Sequence, residues 1–488
     1  MSEKPIVKSL EENLENIKQI FHSSQDLIVR KFVSFGKINS AIVYIDGSVD
    51  KQFLIGGVLD PLQKSAPPKS DSLANYAMEK IVAFSQVKTE TEIDTIITNI
   101  SNGLATIFFE GSLTTVCVDS TKWPVRPPSE PPTSAVLNGP REGFVEDVLT
   151  NVSLLRKRLK TPHVMFEKFE IGRYSKTQIR MCYIKGVVSP AIVKKLRDKL
   201  HSIDIDGIVD SNYLVAFLED RRHSVFRQVG TAEKPDIVAA KVLEGRVAII
   251  VDGSPIVLTL PYVLFEDFQD SNDYYTTSSR ATFLRFLRVF GAIIAVILPG
   301  SYVAMMLYHY KIIPIKLLIS IANSIQGIPL SPFLEVLFII FLFEILYEAS
   351  LRMPRYMGLA LSVVGALILG DTAVKAGLVS PPAVMIVALT GVMSYTVPAQ
   401  TSQISFLRLV FTFLGGILGF YGIIAGSLFL VGYLCSIKNY GAPYLAPLAP
   451  MIPSDQKDSI MKKPITSQVT RPKSFPNINS RRLRKWKN

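Results

Sequence analysis

The sequence predicts two α/β subdomains, an all-α transmembrane domain of four to six helices, and a basic disordered tail. Three observations predict it. Short apolar runs bounded by Gly, Asp and Pro alternate with helical patterns as far as about residue 280. An uncharged stretch of 20 residues, Val289 to Tyr308, then opens a region, 281–435, with only 12 charged residues in 155. Finally, segment 436–488 holds 11 Lys+Arg against 2 Asp+Glu. Composition agrees: of 488 residues, 48% are hydrophobic and 19% charged, and mean hydropathy is +0.29. The net charge is +12, and the tail supplies +9 of it (11 − 2), which leaves +3 for the remainder. The excess is therefore a local footprint for anionic membrane lipid and does not mark a nucleic-acid binder.

In the first regime, strands are expected at Ala41–Ile45, Thr106–Phe109, Ile179–Ile184 and Val247–Val251. Phe144, Val148, Val152, Leu155 and Leu159 recur at helical spacing, which predicts a helix within 141–160 that ends in Arg156, Lys157, Arg158 and Lys160. An internal echo suggests duplication. Tyr44-Ile45-Asp46-Gly47 resembles Tyr183-Ile184-Lys185-Gly186 at an offset of 139, and Phe109-Glu110-Gly111-Ser112 resembles Val251-Asp252-Gly253-Ser254 at 142. Six prolines in the 17 residues 124–140 read as an extended linker. The expected domains are 1–123 and 141–280 around that linker, 281–435 in the membrane, and the tail 436–488.

The soluble half shows no catalytic constellation. No P-loop ending, GxGxxG, GxSxG or CxxC occurs, and the five histidines never fall at the i, i+4 spacing of a helical metal pair. Neither cofactor nor metal is expected, and the chain is not read as an enzyme. Cys117, Cys182 and Cys435 lie far apart and form no disulfide framework, which suits a reducing compartment. The N-terminus lacks the apolar run of a secretory signal.

In the second regime, Arg280, Arg285 and Arg288 precede the first span, and the positive-inside rule places them, with the α/β region, in the cytosol. Further apolar stretches are Phe333–Tyr347, Gly358–Gly370, Leu378–Ala399 and Leu409–Leu434, while Ile312–Gly327 reads as an interfacial or re-entrant helix. A basic tail on the cytosolic side requires an even number of crossings. Glu344 stands out as an intramembrane charge, since a carboxylate at mid-bilayer is costly unless paired or facing water. Either it pairs with Arg352 or Arg355, or it faces an ion path or a subunit contact. Thr390, Ser394, Thr396 and Pro398 are the pore-lining candidates, because hydroxyls and a helix-breaking proline are tolerated beside an aqueous cavity; hydroxyls bonded back to their own helix are the alternative. Gly415, Gly419, Gly422 and Gly426 strip one helix face to backbone and predict close helix packing.

Several segments together resemble the A subunits of spore germinant receptors, the GerA family. They are Gly139-Pro140-Arg141-Glu142-Gly143-Phe144-Val145-Glu146-Asp147, Leu243 to Ala248, Asp252 to Pro255, Asp273-Tyr274-Tyr275, Phe343 to Pro354 and Ala376 to Pro381. The resemblance implies a multi-pass protein of the spore inner membrane that works with a permease-like B subunit and a lipoprotein C subunit. It also implies a homo-oligomeric, ligand-gated channel that releases monovalent cations at the start of germination. Ser350 and Asp371 depart from the pattern, which puts local pairing there in doubt. A small-solute transporter, or a non-conducting membrane scaffold with a cytosolic ligand-binding region, is the alternative.

Overall fold

The computed structural model describes residues 6–66, 73–80, 87–122, 139–221, 223–352 and 371–483. Most of the expected linker, the apolar stretch Gly358–Gly370, Arg355 and the last basic residues lie outside them. The chain divides into two units: Met1–Tyr262 with Asn439–Ala442 and Gln468–Asn488, and Val263–Lys438 with Pro443–Ser467. The division falls at Tyr262, ahead of the position near residue 280 read from hydropathy.

The first unit is a duplication. Its strands are β1 (Leu27–Ser34), β2 (Ile38–Ile45), β3 (Val87–Glu90), β4 (Ala105–Phe109) and β5 (Thr115–Val118), then β6 (Val164–Ile171), β7 (Thr177–Ile184), β8 (Gly230–Ala232), β9 (Val247–Val251) and β10 (Val257–Leu260). They form two five-stranded sheets of identical topology, β1-β2-β4-β5-β3 and β6-β7-β9-β10-β8. Every pairing is antiparallel. Helices α1 (Leu10–Ile20) and α2 (Ile93–Ser101) cover one face of the first sheet. In the second repeat, α3 (Val148–Arg158) pairs with a later helix on the matching face, and α4 (Pro190–Ser202) and α5 (Ser211–Leu218) cover the other. That later helix is α6 (Pro235–Leu243). Periodicity placed α3 correctly but began it too early. Asp147 accepts the Thr150 N–H as N-cap, so 141–147 stays extended.

The repeat extends to individual hydrogen bonds. Asn13 clamps both backbone groups of Val7 through its amide, and Asn151 does the same to Val145. Glu110 accepts the Leu10 N–H as Asp252 accepts that of Val148. The Gly111 and Gly253 N–H groups donate to Lys8 and Glu146 carbonyls. Both glycines have positive φ, so an L side chain would be strained at either turn.

The second unit is helical: α7 (Ser278–Leu307), α8 (Ile315–Ile325), α9 (Pro332–Arg352), α10 (Pro381–Ser394) and α11 (Thr401–Ser436). Two stretches, Ser278–Leu307 and Pro398–Ser436, are long and apolar enough to cross a membrane. The second is not one rod. At Gly419, φ is 60° and ψ −146°, a combination open essentially to glycine alone. Beyond it the chain folds back: Gly422 lies against the Leu414 carbonyl and Gly426 against Leu414 and Phe411. In a straight helix those residues would stand a dozen or more ångströms apart, about 1.5 Å per residue. Thus α11 is a helical hairpin with arms 401–418 and 420–436.

Contacts fix the direction of each helix. Gly291 lies beside Met393 and Thr396, and Gly300 meets Phe411 and Gly415, so α7 and the first arm of α11 run parallel. At the far end, the Tyr308 hydroxyl donates to the Gly416 (2.8 Å) and Ile417 (3.2 Å) carbonyls, and His309 packs on Phe420. Phe333 also rests on Gly416, so α8 starts and finishes at one level and does not traverse the unit. Helix α9 then runs back, with Phe333 beside Phe413 and Tyr347 beside Tyr395. The chain leaves where it entered, since Leu264 N–H donates to the Tyr444 carbonyl at 2.9 Å.

The tail departs from the sequence reading, which made it disordered. Residues 439–483 are ordered, with Tyr440, Tyr444 and Phe475 buried. Tyr440 joins the core beneath α4 and donates to the Leu218 carbonyl, while Arg246 lies 3.8 Å over the Phe475 ring. Composition misled here because a few buried aromatics anchor a segment whose average is polar.

Candidate functional site

Between the two repeats of the first unit lies a cavity of about 770 Å³. Its floor and walls come from the turn after α1, the turn before β6, strands β6 and β7, and α4, with Ile478 of the tail at one edge. The turn after α1 is unusual, because His22 and Ser23 both adopt φ of 54°. Non-glycine residues seldom hold this left-handed conformation unless their surroundings require it. It is fixed by the Ser23 N–H donating to the Lys18 carbonyl at 2.7 Å.

That turn brings His22 Nε2 to 3.4 Å from His163 Nδ1, with Lys185 beside them. Burial, then the charges of Lys185 and His163, hold the His22 imidazole below the ordinary histidine value. On the opposite wall, Arg197 grips Glu167 with two hydrogen bonds, 2.9 and 2.6 Å, and Tyr183 donates to the same carboxylate at 2.6 Å. Burial alone would raise the Glu167 carboxyl. The Arg197 and Tyr183 hydrogen bonds prevail and hold it below the usual carboxylate range.

The cavity's shape is locked from behind. Asp26 receives Arg156 Nε at 2.7 Å and Nη2 at 2.9 Å, and both residues are buried. The Phe166 and Lys168 N–H groups on the outer edge of β6 donate to Ser24 and Gln25 of the other repeat. Unpaired edge amides are thereby satisfied, and the two subdomains are joined along the site.

A pH effect follows from His22. A histidine whose folded value is depressed binds protons more readily in the unfolded chain. Folding is therefore unaffected at high pH and weakens as pH falls through the unfolded value of about 6.5. The melting temperature of the full chain should fall on acidification, and His22→Asn should fall less. Asparagine tolerates the left-handed turn, so a variant that tracks the parent would exclude His22.

In the helical unit the sequence-chosen residues separate into groups. Thr390 and Ser394 are buried within the chain, and the hydroxyls of Thr390, Ser394 and Thr396 each donate to a carbonyl three residues back, at 2.7 to 2.8 Å. This is the back-bonded alternative. Pro398 lies in a break between helices: α10 stops at Ser394, and Pro398 opens a short 3-10 turn ahead of α11. Glu344 is paired, but with a partner missed in sequence, Arg408 of α11, and with Ser405. The expected partner Arg352 bonds Glu348 instead. Nothing local could have revealed Arg408, which lies 64 residues from Glu344.

At Gly415 a Cβ would collide with the Gly300 carbonyl, and Gly422 and Gly426 lie against Leu414 within the hairpin. Gly419 acts through its backbone conformation instead.

A duplicated sheet unit enclosing a cavity, joined to a helical unit with two apolar helices of membrane-spanning length, is the architecture of a membrane-associated protein. Residues 15–474 match the family described as Bacillus/Clostridium GerA spore germination protein. The chain belongs to the GerA family. It is 36% identical to Spore germination protein KA of Bacillus subtilis over 97% of this chain and 88% of that protein. It is 32% identical to Spore germination protein GerLA of Bacillus cereus over 95% of each chain. Uncharacterized membrane protein YfkQ of Bacillus subtilis is 34% identical over 98% of this chain and 94% of its own length. The crystal structure of the N-terminal domain of the A subunit of the Bacillus megaterium spore germinant receptor GerK3 aligns over 54% of this chain and 99% of its own, at 29% identity and a TM-score of 0.43.

Proposed function

We propose that the chain is the A component of a nutrient germinant receptor, a non-catalytic membrane protein that assembles into a ligand-gated channel for monovalent cations. A permease-like B subunit and a lipoprotein C subunit are the proposed partners, and the spore inner membrane the proposed site. The observation that carries the reading is the presence in one chain of a preformed cavity, lined in part by His22, Glu167, Lys185 and Arg197, and of a helical unit that holds a partly buried ion pair, Glu344 with Arg408. Ligand in the cavity would favour one arrangement of the assembly over another by its differential affinity for the two.

Entry and exit of the helical unit at one end give both termini of that unit the same side of the membrane. An even number of crossings fits entry and exit on one side.

Thr396, half-buried, and Pro398, exposed, are the members of the α10 group open to a passage between copies. Thr396→Trp should slow potassium release from germinant-treated spores about tenfold while membrane levels stay normal, a change of about 1.4 kcal/mol in barrier. Unaltered release would remove the end of α10 from the ion path. Saturable uptake of an organic solute by the purified assembly would favour a transporter, and absence of conductance a scaffold.

A further inference from the structure

We infer that Glu335, Tyr302 and Ser380 form a binding site for one monovalent metal cation inside the helical unit. Glu335 lies in the first turn of α9, fully buried, after the Ser331-Pro332 start. One carboxylate oxygen accepts the Ser380 N–H at the N-terminus of α10. The other, Oε2, is buried with no donor. Tyr302 of α7 is 3% exposed, and its hydroxyl, within Coulombic range of Glu335, has Ser380 as its polar neighbour and makes no well-formed hydrogen bond to any other group. The Ser380 hydroxyl accepts the Ala383 N–H at 3.4 Å, which leaves it a further lone pair.

The surroundings are apolar: Val303, Val336, Ile339, Val379 and Ala383. Among the described residues no ion pair involves Glu335, and Lys375, a nearby cation in the chain, is exposed and bonded to Asp371. A buried carboxylate without a countercharge costs several kcal/mol, and the α10 N-terminus offsets it with only about half a unit charge. The donorless Oε2 of a carboxylate fixed by its other oxygen, with the Tyr302 and Ser380 hydroxyls near it, leaves a place for a positive ligand.

The donor chemistry selects the ligand. All donors are hard oxygens, and no group of His, Cys, Asp or Glu that could hold a transition metal occurs among the described residues. One carboxylate supplies a single negative charge, too little for Ca²⁺ or Mg²⁺, which gather more oxygen ligands and charge. Sodium or potassium matches both charge and donor type. The site does not rest on the channel reading, since a bound ion that never moves would serve equally to neutralise Glu335.

The test is thermal unfolding of the purified full chain in detergent, in sodium, potassium or N-methylglucamine chloride at equal ionic strength. A cation bound only by the folded state raises the midpoint saturably, and a rise of at least about 2 °C is expected with one of the two metals. Glu335→Gln should abolish the rise, and Tyr302→Phe should shift it to higher cation concentration, which keeps the test alive if the first variant does not fold. Equal midpoints in all three salts would overturn the site. So would a rise that Glu335→Gln retains, or a midpoint that follows pH and ignores the cation.

Discussion

Gly415→Ala is expected to destabilise the helical unit by about 3 kcal/mol, although it adds one methyl group. At this position α7 and the first arm of α11 touch backbone to backbone. The new Cβ would collide with the carbonyl of Gly300, and the reciprocal Cβ at Gly300 with that of Phe411. Neither obstacle is the movable end of a side chain, so the helices must separate and the neighbouring contacts along their length weaken together. Gly432→Ala is the control. It lies in the second arm with open space around its Cβ position, and alanine's better helix propensity should leave stability unchanged or raise it by up to about 1 kcal/mol. Unfolding midpoints of the purified chain in detergent check both. Equal effects of the two variants would mean that close packing at Gly415 contributes nothing.

These glycines also show where sequence reasoning stops. Spacings of three and four predict a packing face, and Gly415 lies backbone to backbone against Gly300. Gly419 sits in the same series, yet reverses the chain. The distinction is a backbone conformation set by Tyr308 and His309, more than a hundred residues earlier, and no local pattern in 409–434 encodes it. The duplicated sheets were legible because each repeat carries its own turn signature, Gly47 with Gly111 and Gly186 with Gly253, at conserved separation within one chain. The cavity was not, since His22 and His163 acquire meaning only when two repeats meet. For the same reason Glu344 was recognised as costly but assigned to nearby arginines; pairing across helices follows topology rather than sequence distance.

Asp273→Ala should be at least as damaging as the glycine change, at about 3–5 kcal/mol, and its physical origin is different. Asp273, fully buried, accepts Arg285 Nε at 3.0 Å and both terminal nitrogens of Arg288 at 2.8 and 3.1 Å. Arg285, also fully buried, reaches onward to Asp458 at 2.9 Å and to the Ser459 carbonyl at 2.8 Å, and Lys462 donates to the Asp273 and Thr276 carbonyls. One carboxylate thus organises the start of α7 and holds the segment 458–462 against it. Its removal leaves guanidinium groups buried with too little negative charge, which costs far more than the net value of the intact pair. Asp458→Ala should cost less, about 1–2 kcal/mol, because its side chain is 20% exposed and water can partly replace it. The two variants also differ in what they release. Loss of Asp458 frees the tail alone, so limited proteolysis near 455–467 should accelerate while the unfolding midpoint shifts modestly. Loss of Asp273 should accelerate that cleavage and lower the midpoint sharply. If Asp273→Ala left the midpoint within that of Asp458→Ala, Asp273 would be one clamp among several and not the group on which the others depend.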